Sequence, residues 1–300
     1  MKVKKSISYR VFLILNGLFF ILCAFVMIYP YLNTLAKSLS ASSEVAKGGV
    51  TIFPRGFTWD NYQAMLGDAK VFRALGISIL RTAVGTVTSV LVTFMAAYAM
   101  HKKDVPFKMP LVMFLMLIGY IHPGMIPTYV NFSNLKLLNT FWIYILPTMF
   151  NFYNAIVMRT FIDATIPDSL FDAGYIDGAD DLQMFYKVVI PLSKPVLATV
   201  SLWEMVRHWN DWTTTLYYVR SPKWHTMQYK MMQLVKESEY IAAKIKELQM
   251  LGIDAGEAPA STPDTLIAAQ VILTTLPIVM VYPFLQKYFV KGFMVGSVKG

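Results

Sequence analysis

Cysteine and histidine are scarce in this 300-residue chain, which has one of the first and four of the second. The single cysteine, Cys23, excludes an intramolecular disulfide and any zinc site built from cysteine pairs. It sits in an apolar run and is read as a small apolar residue facing lipid or a neighbouring helix. The scattered histidines have no ligand spacing, so no metal site is expected. Charge is sparse too: Asp, Glu, Lys and Arg make up 15% of the chain, against roughly 25% in a soluble domain. No Gly-x-x-x-x-Gly-Lys-Ser/Thr phosphate loop occurs, so the chain does not bind ATP by that device. No nucleophile–base pair stands out, which argues against an enzyme. No internal repeat is found, which argues against an inverted-repeat transporter.

What is abundant is apolar. Hydrophobic residues make up 56% of the chain, and the mean hydropathy is +0.48. One soluble core of this size cannot bury that much, so a bilayer must supply the solvent. The net charge of +9 then reads as Lys and Arg attracted to anionic headgroups and to the cytoplasmic side, rather than as a nucleic-acid surface.

About 20 apolar residues cross a hydrocarbon core. Candidate spans are 11–32, 75–99, 110–130, 140–161, 195–219 and 265–286. The expected fold is therefore all-α, an integral membrane protein with about six transmembrane helices in one domain over 1–300. The first span follows Lys2, Lys4, Lys5 and Arg10, and is expected to stay as an uncleaved helix. Basic residues favour cytoplasmic N- and C-termini. Long loops at 33–74 and 220–264 are then external. The first holds an aromatic cluster around Phe53, Phe57 and Trp59, and the second a surface helix over 227–251.

The loop at 162–194 faces the cytoplasm in this arrangement. Pro167 with Asp168 or Ser169 starts a helix, and Ser169 to Asp172 resembles a capping box. Ala173, Gly174, Gly178 and Ala179 are small, and Gly178 predicts a turn or a close approach. A second short helix is expected over about 180–189, before Pro191. A helix–turn–helix with small residues at its bend suits insertion into a groove on another protein.

The series Asp172-Ala173-Gly174, Asp177-Gly178-Ala179 and Ile190-Pro191-Leu192 resembles the EAA loop of permease subunits of bacterial ATP-binding-cassette importers. Asp172 stands where that motif has Glu, Gly174 where it has a second Ala, and the end reads Val-Ile-Pro rather than Leu-Pro. Trp209-Asn210-Asp211-Trp212, the stretches Gly119–Pro127, Leu138–Thr140 and Leu146-Pro147, and the tail Tyr282–Gly292 with Gly296–Gly300 are similar to the carbohydrate (maltose-type, MalG-like) group, in its LplC- and YtcP-like branch.

The resemblance implies the type I ABC importer permease fold, in the bacterial cytoplasmic membrane, with 162–194 as a coupling loop. It implies a heterodimer with a second homologous permease, two ATPase subunits that bind ATP and Mg, and an extracytoplasmic solute-binding protein delivering a sugar. No cofactor is expected on this chain itself. Asp172, Ala173, Gly174, Asp177, Gly178 and Ala179 are the expected ATPase-coupling residues.

Charges within a membrane face an aqueous path or a protein interface. In the fifth span Glu204 can pair with Arg207 or His208, and Arg207 with Asp211. That pattern serves either a self-neutralising helix-packing network or a polar path for sugar hydroxyls. Trp209, Asn210, Asp211, Trp212, Arg207 and Asn154 are the candidate pathway residues. Arg81 is expected to snorkel at the external end of its span, and His122 with Pro123 and Pro127 marks a broken helix. Arg81, Arg207 and His208 together suggest an acidic sugar such as a uronate. A permease for a non-sugar solute and a gradient-driven secondary transporter remain the alternatives.

Overall fold

The computed structural model describes residues 7–121, 123–250 and 263–296. His122 and residues 251–262 and 297–300 lie outside them, and with 251–262 all of the Gly256–Pro263 stretch except Pro263. The chain is built from helices α1 (Ile7–Ser38), α2 (Ser42–Ala46), α3 (Asp60–Gly67), α4 (Ala69–His101), α5 (Lys108–Tyr120), α6 (Met125–Asn134), α7 (Phe152–Thr165), α8 (Asp168–Ile176), α9 (Asp181–Met184), α10 (Ile190–Leu192), α11 (Lys194–Asn210), α12 (Thr213–Tyr218), α13 (Met227–Met250) and α14 (Pro263–Gly296). It divides into two compact units, Met1–Ala69 with Met231–Leu276 and Lys70–Lys230 with Pro277–Gly300.

Three helices among the described residues are long and apolar enough to cross a membrane: α1, α4 and the Asp264–Val281 part of α14. Three bent pairs raise the number to six if each is one span: α5 with α6, Phe141–Thr148 with α7, and Asp181–Leu192 with α11. The bends follow from the sequence. Pro123 and Gly124 part α5 from α6, and Gly124 takes a φ of +84° that favours glycine. Over 195–219 the chain forms two helices rather than one. α11 stops at Asn210 because the Asp211 carboxylate turns to the start of α12, accepting from the Thr214 amide at 3.1 Å and the Thr213 hydroxyl at 2.7 Å.

In the first unit the polar stretch after α1 is folded rather than open. Asn61 is buried and donates to the carbonyls of Ser38 at 3.0 Å and Ser40 at 3.1 Å. Asn33 does the same for Val50 at 2.8 Å and Thr51 at 2.9 Å. An isolated antiparallel bridge joins Ser40 to Phe57, whose ring meets Trp59 edge-on.

The second unit is organised around α4. Its buried residues recur every three or four positions and are mostly small: Ala74, Ser78, Gly85, Ser89, Thr93 and Ala97. Such a stripe lets backbones approach closely where lipid leaves little hydrophobic drive between helices. Val90, Phe94 and Tyr98 of α4 pack with Met158 and Ile162 of α7 and with Val196 and Val200 of α11. Phe171 of α8 and Met184 of α9 enter the same cluster, so the 162–194 loop is anchored in the helix bundle.

Candidate functional site

The loop is a helix, a glycine turn and a second helix. Its start differs from the expected capping box: the N-cap is Pro167, without a side-chain cap bond, and Asp168 is the first helical residue. The Asp168 carboxylate instead binds the Lys103 ammonium at 2.8 Å. The helix end is a Schellman motif. The Ala179 amide donates to the Gly174 carbonyl at 2.9 Å, and the Gly178 amide to the Tyr175 carbonyl at 3.1 Å. Gly178 sits at φ +81° with open space around its α-carbon, so backbone conformation and not crowding requires glycine there. Asp180 then caps α9, its side chain accepting from the Gln183 amide at 2.7 Å. The second helix continues beyond α9 as a π-helix over Phe185–Val189 and then α10.

The six candidate coupling residues part into two sets. Asp172, Ala173, Asp177 and Gly178 are exposed, as are the apolar side chains of Leu170, Ile176 and Leu182. Gly174 and Ala179 face inward. A β-carbon on Gly174 would collide with the Met184 sulfur, which explains why an alanine does not stand there. Ala179 packs against the buried cluster.

Electrostatic ties run from the end of α4 to the loop. Lys102 pairs with Asp181, which also accepts from the Tyr175 hydroxyl at 3.0 Å. His101 contacts Asp163 at 2.5 Å and stacks on Phe171 at 4.9 Å. The hydrogen bond and charge of Lys103 hold the Asp168 carboxyl below the usual carboxylate range, and Asp168 in turn raises the Lys103 ammonium. His101, Lys103, Asp168, Asp172 and Tyr175 line a polar basin of about 280 Å³.

The polar residues of the fifth span fall into two clusters. Arg81 does not snorkel. It is 2% exposed and paired with Asp211, donates to the Asp211 carbonyl at 2.8 Å, and lies 4.4 Å over the Tyr144 ring. In the second cluster Glu204, also 2% exposed, is paired with Arg207 and accepts from buried Asn154 at 2.8 Å. Arg207 additionally reaches the Thr148 carbonyl at 3.3 Å. His208 packs against α4 at Gly85.

Asp211, Arg207 and Asn154 are therefore bonded to partners within this chain. The sequence pairing of Arg207 with Asp211 gives way to Arg207 with Glu204 and Asp211 with Arg81. Trp209 is buried and lines an apolar cavity of about 240 Å³ with Thr82, Leu202, Met205, Val206 and Pro277. Asn210 is exposed and accepts from Gln228 at 3.3 Å, and Trp212 is half-buried. Beside the Asp211 cap, Thr128, Thr213, Thr214, Tyr217 and Tyr218 line an open cavity of about 480 Å³ that sequence reading missed. Asp211 within the fifth span is a candidate helix start, the one local sign of the break beside this cavity.

Residues 104–295 match a protein family described as the binding-protein-dependent transport system inner membrane component. The chain belongs to that family. Two curated relatives in Bacillus subtilis (strain 168) align along almost their whole length. The polygalacturonan/rhamnogalacturonan transport system permease protein YtcP is 32% identical over 94% of this chain and 96% of its own. Protein LplC is 37% identical over 97% of this chain and 96% of its own. A crystal structure of a bacterial ABC transporter involved in the import of the acidic polysaccharide alginate contains a chain that superposes with a TM-score of 0.83. It is 27% identical and covers 96% of this chain and 100% of that one. As a family member the chain is an inner-membrane permease component, and its α-helical architecture is that of a binding-protein-dependent ABC permease.

Proposed function

We propose that this chain forms half of the translocation pathway of an ATP-driven importer of oligosaccharides that contain uronic acid. The observation that carries the coupling role is the loop itself. Phe171 and Met184 anchor it in the bundle while Asp172, Ala173, Asp177 and Gly178 stand on its exposed face. That face is the contact for one of two ATPase subunits, which bind ATP and Mg and hydrolyse it. A second, homologous permease completes the path, and an extracytoplasmic binding protein loads it. The N- and C-termini lie in the cytoplasm.

The acidic substrate rests on what the relatives are named for, polygalacturonan and rhamnogalacturonan for one and alginate for the solved transporter. It does not rest on Arg81 and Arg207, since each is paired with a carboxylate. The cavity beside Asp211 offers threonine hydroxyls and tyrosine rings, which suit the polar edges and apolar faces of a sugar.

The test is ATPase activity of the whole complex in liposomes, with the binding protein loaded by galacturonate oligomers or by neutral oligosaccharides of equal length. Stimulation by the acidic set supports the reading. Stimulation by the neutral set alone overturns the acidic substrate. Failure to retain any ATPase subunit overturns the importer and leaves gradient-driven transport.

A further inference from the structure

In the second unit α4 touches α11 directly at two neighbouring points, and the residues that follow α4 are tied to the loop that leads into α11. Lys102, the residue that follows α4, pairs with Asp181, at the first position of α9, and its ammonium lies 5.6 Å from the Tyr175 ring of α8. The neighbouring Lys103 holds Asp168, at the first position of α8. Consecutive lysines on one short connection therefore hold the first residue of each helix of the loop. His208 of α11 fills the notch left by Gly85 of α4. One turn away Arg81 of α4 holds Asp211, the residue that follows α11. From Arg81 to His101, the last residue of α4 and the neighbour of Lys102, is 20 positions, roughly 30 Å at 1.5 Å per residue.

The loop is joined covalently to α7 before it and to α11 after it. α4 has no covalent connection to the loop nearer than α5 and α7. A push on the loop thus reaches α11 through the chain, and reaches α4 through the packed cluster and the lysine pairs.

We propose that Lys102 is a positioning residue for energy coupling: it fastens the loop to α4, so that α4 and α11 move as one body and carry displacement of the loop to the Arg81–Asp211 joint. This rests on the docking role of the loop given above. Lys102 is the stronger of the two lysines in this role. Its side chain is 20% exposed against 80% for Lys103, and its partner carboxylate is held a second time by Tyr175. Pairs this exposed add little to folding stability, so their loss leaves the fold and the docking surface intact and shows in transmission instead.

The experiment uses the complete complex in liposomes, with wild type, Lys102→Glu, Asp181→Lys and the swapped pair Lys102→Asp/Asp181→Lys. The readouts are ATPase subunit retained on purification, basal ATPase activity, and the factor by which loaded binding protein stimulates it. Each single variant is expected to retain the ATPase and its basal rate and to lose about threefold in stimulation, within the range that a partly exposed pair can deliver. The swapped pair is expected to recover most of it, which ties the loss to this ion pair, while the retained ATPase and basal rate of the single variants set it apart from a merely structural role. Full stimulation in Lys102→Glu overturns the proposal, as does a swapped pair no better than the singles. Loss of the ATPase subunit in Lys102→Glu also overturns it, because the residue would then serve docking rather than transmission. A wild type that is not stimulated at all sinks the importer reading itself, so the two failures are distinguishable.

Discussion

Gly85 and His208 meet so closely that a β-carbon on residue 85 would lie 2.5 Å from the imidazole Cε1 and Nε2. The contact joins the two helices that organise the second unit, and both partners are buried. The glycine is there for space, since its backbone is ordinary helix.

Gly85→Ala is therefore expected to destabilise by about 1–3 kcal/mol, the usual cost of overpacking a filled site. His208→Ala in the same background should return most of the loss by clearing the space. Thermal unfolding of the purified complex in detergent checks both. A Gly85→Ala variant as stable as wild type would show that α4 and α11 part without cost.

Arg81 and Asp211 are separated by 130 positions and share one ion pair. Removing one partner leaves a charge with no counterion in a site where Arg81 is almost fully enclosed. Arg81→Gln or Asp211→Asn is expected to cost about 3–5 kcal/mol. The double variant should cost clearly less than the sum, since neither charge is then stranded. Expression level and unfolding midpoint of the four proteins close the cycle.

Gly178 grades residues by backbone preference. Asn is the next residue able to take its left-handed conformation, whereas Ala pays about 1–2 kcal/mol. The order of ATPase subunit retained is expected to be Gly, then Asn, then Ala, then Val. Equal retention in all four would mean the turn does not shape the docking surface.

The Lys103–Asp168 pair has a defined pH window. Asp168 titrates below its ordinary value, so its contribution is present above that value and is lost as pH falls through the lowered one. Lys103 titrates above its ordinary value, so its contribution is present below that value and is lost as pH rises through the raised one. The difference between wild type and Lys103→Gln should thus be constant between about pH 5 and 9, well inside the ordinary Asp and Lys values. It should shrink with salt, because both groups are exposed. A difference that varies across neutral pH would assign the loop's titration to another group.

The loop was legible in the sequence because its grammar is local. Pro167, the Asp-Ala-Gly start and Gly178 all act within a few residues, and the structure puts a turn at Gly178. Glu204 with Arg207 was legible for the same reason, being three positions apart on one helix face. Arg81 was not. Its partner lies far along the chain, and a lone arginine near a helix end reads more naturally as reaching for the interface. Gly174 is legible only as a small residue at its place in the motif. Its role against Met184 depends on how α9 folds back, which no local pattern records. The break at Asp211 depends on its bond to Arg81, far along the chain, and on the turn of its carboxylate to Thr213 and Thr214.

α1 spans 32 residues, and none of its most apolar window is buried within the structure. At 1.5 Å per residue it measures roughly 48 Å, longer than a hydrocarbon core of about 30 Å. Interior packing therefore places little constraint on which apolar residue stands at each position. Evolution is free to exchange Leu, Ile, Val and Phe along it while its length and oiliness are held, so across relatives this helix should drift fastest in spelling and slowest in thickness, serving as a ruler cut to the membrane its host maintains.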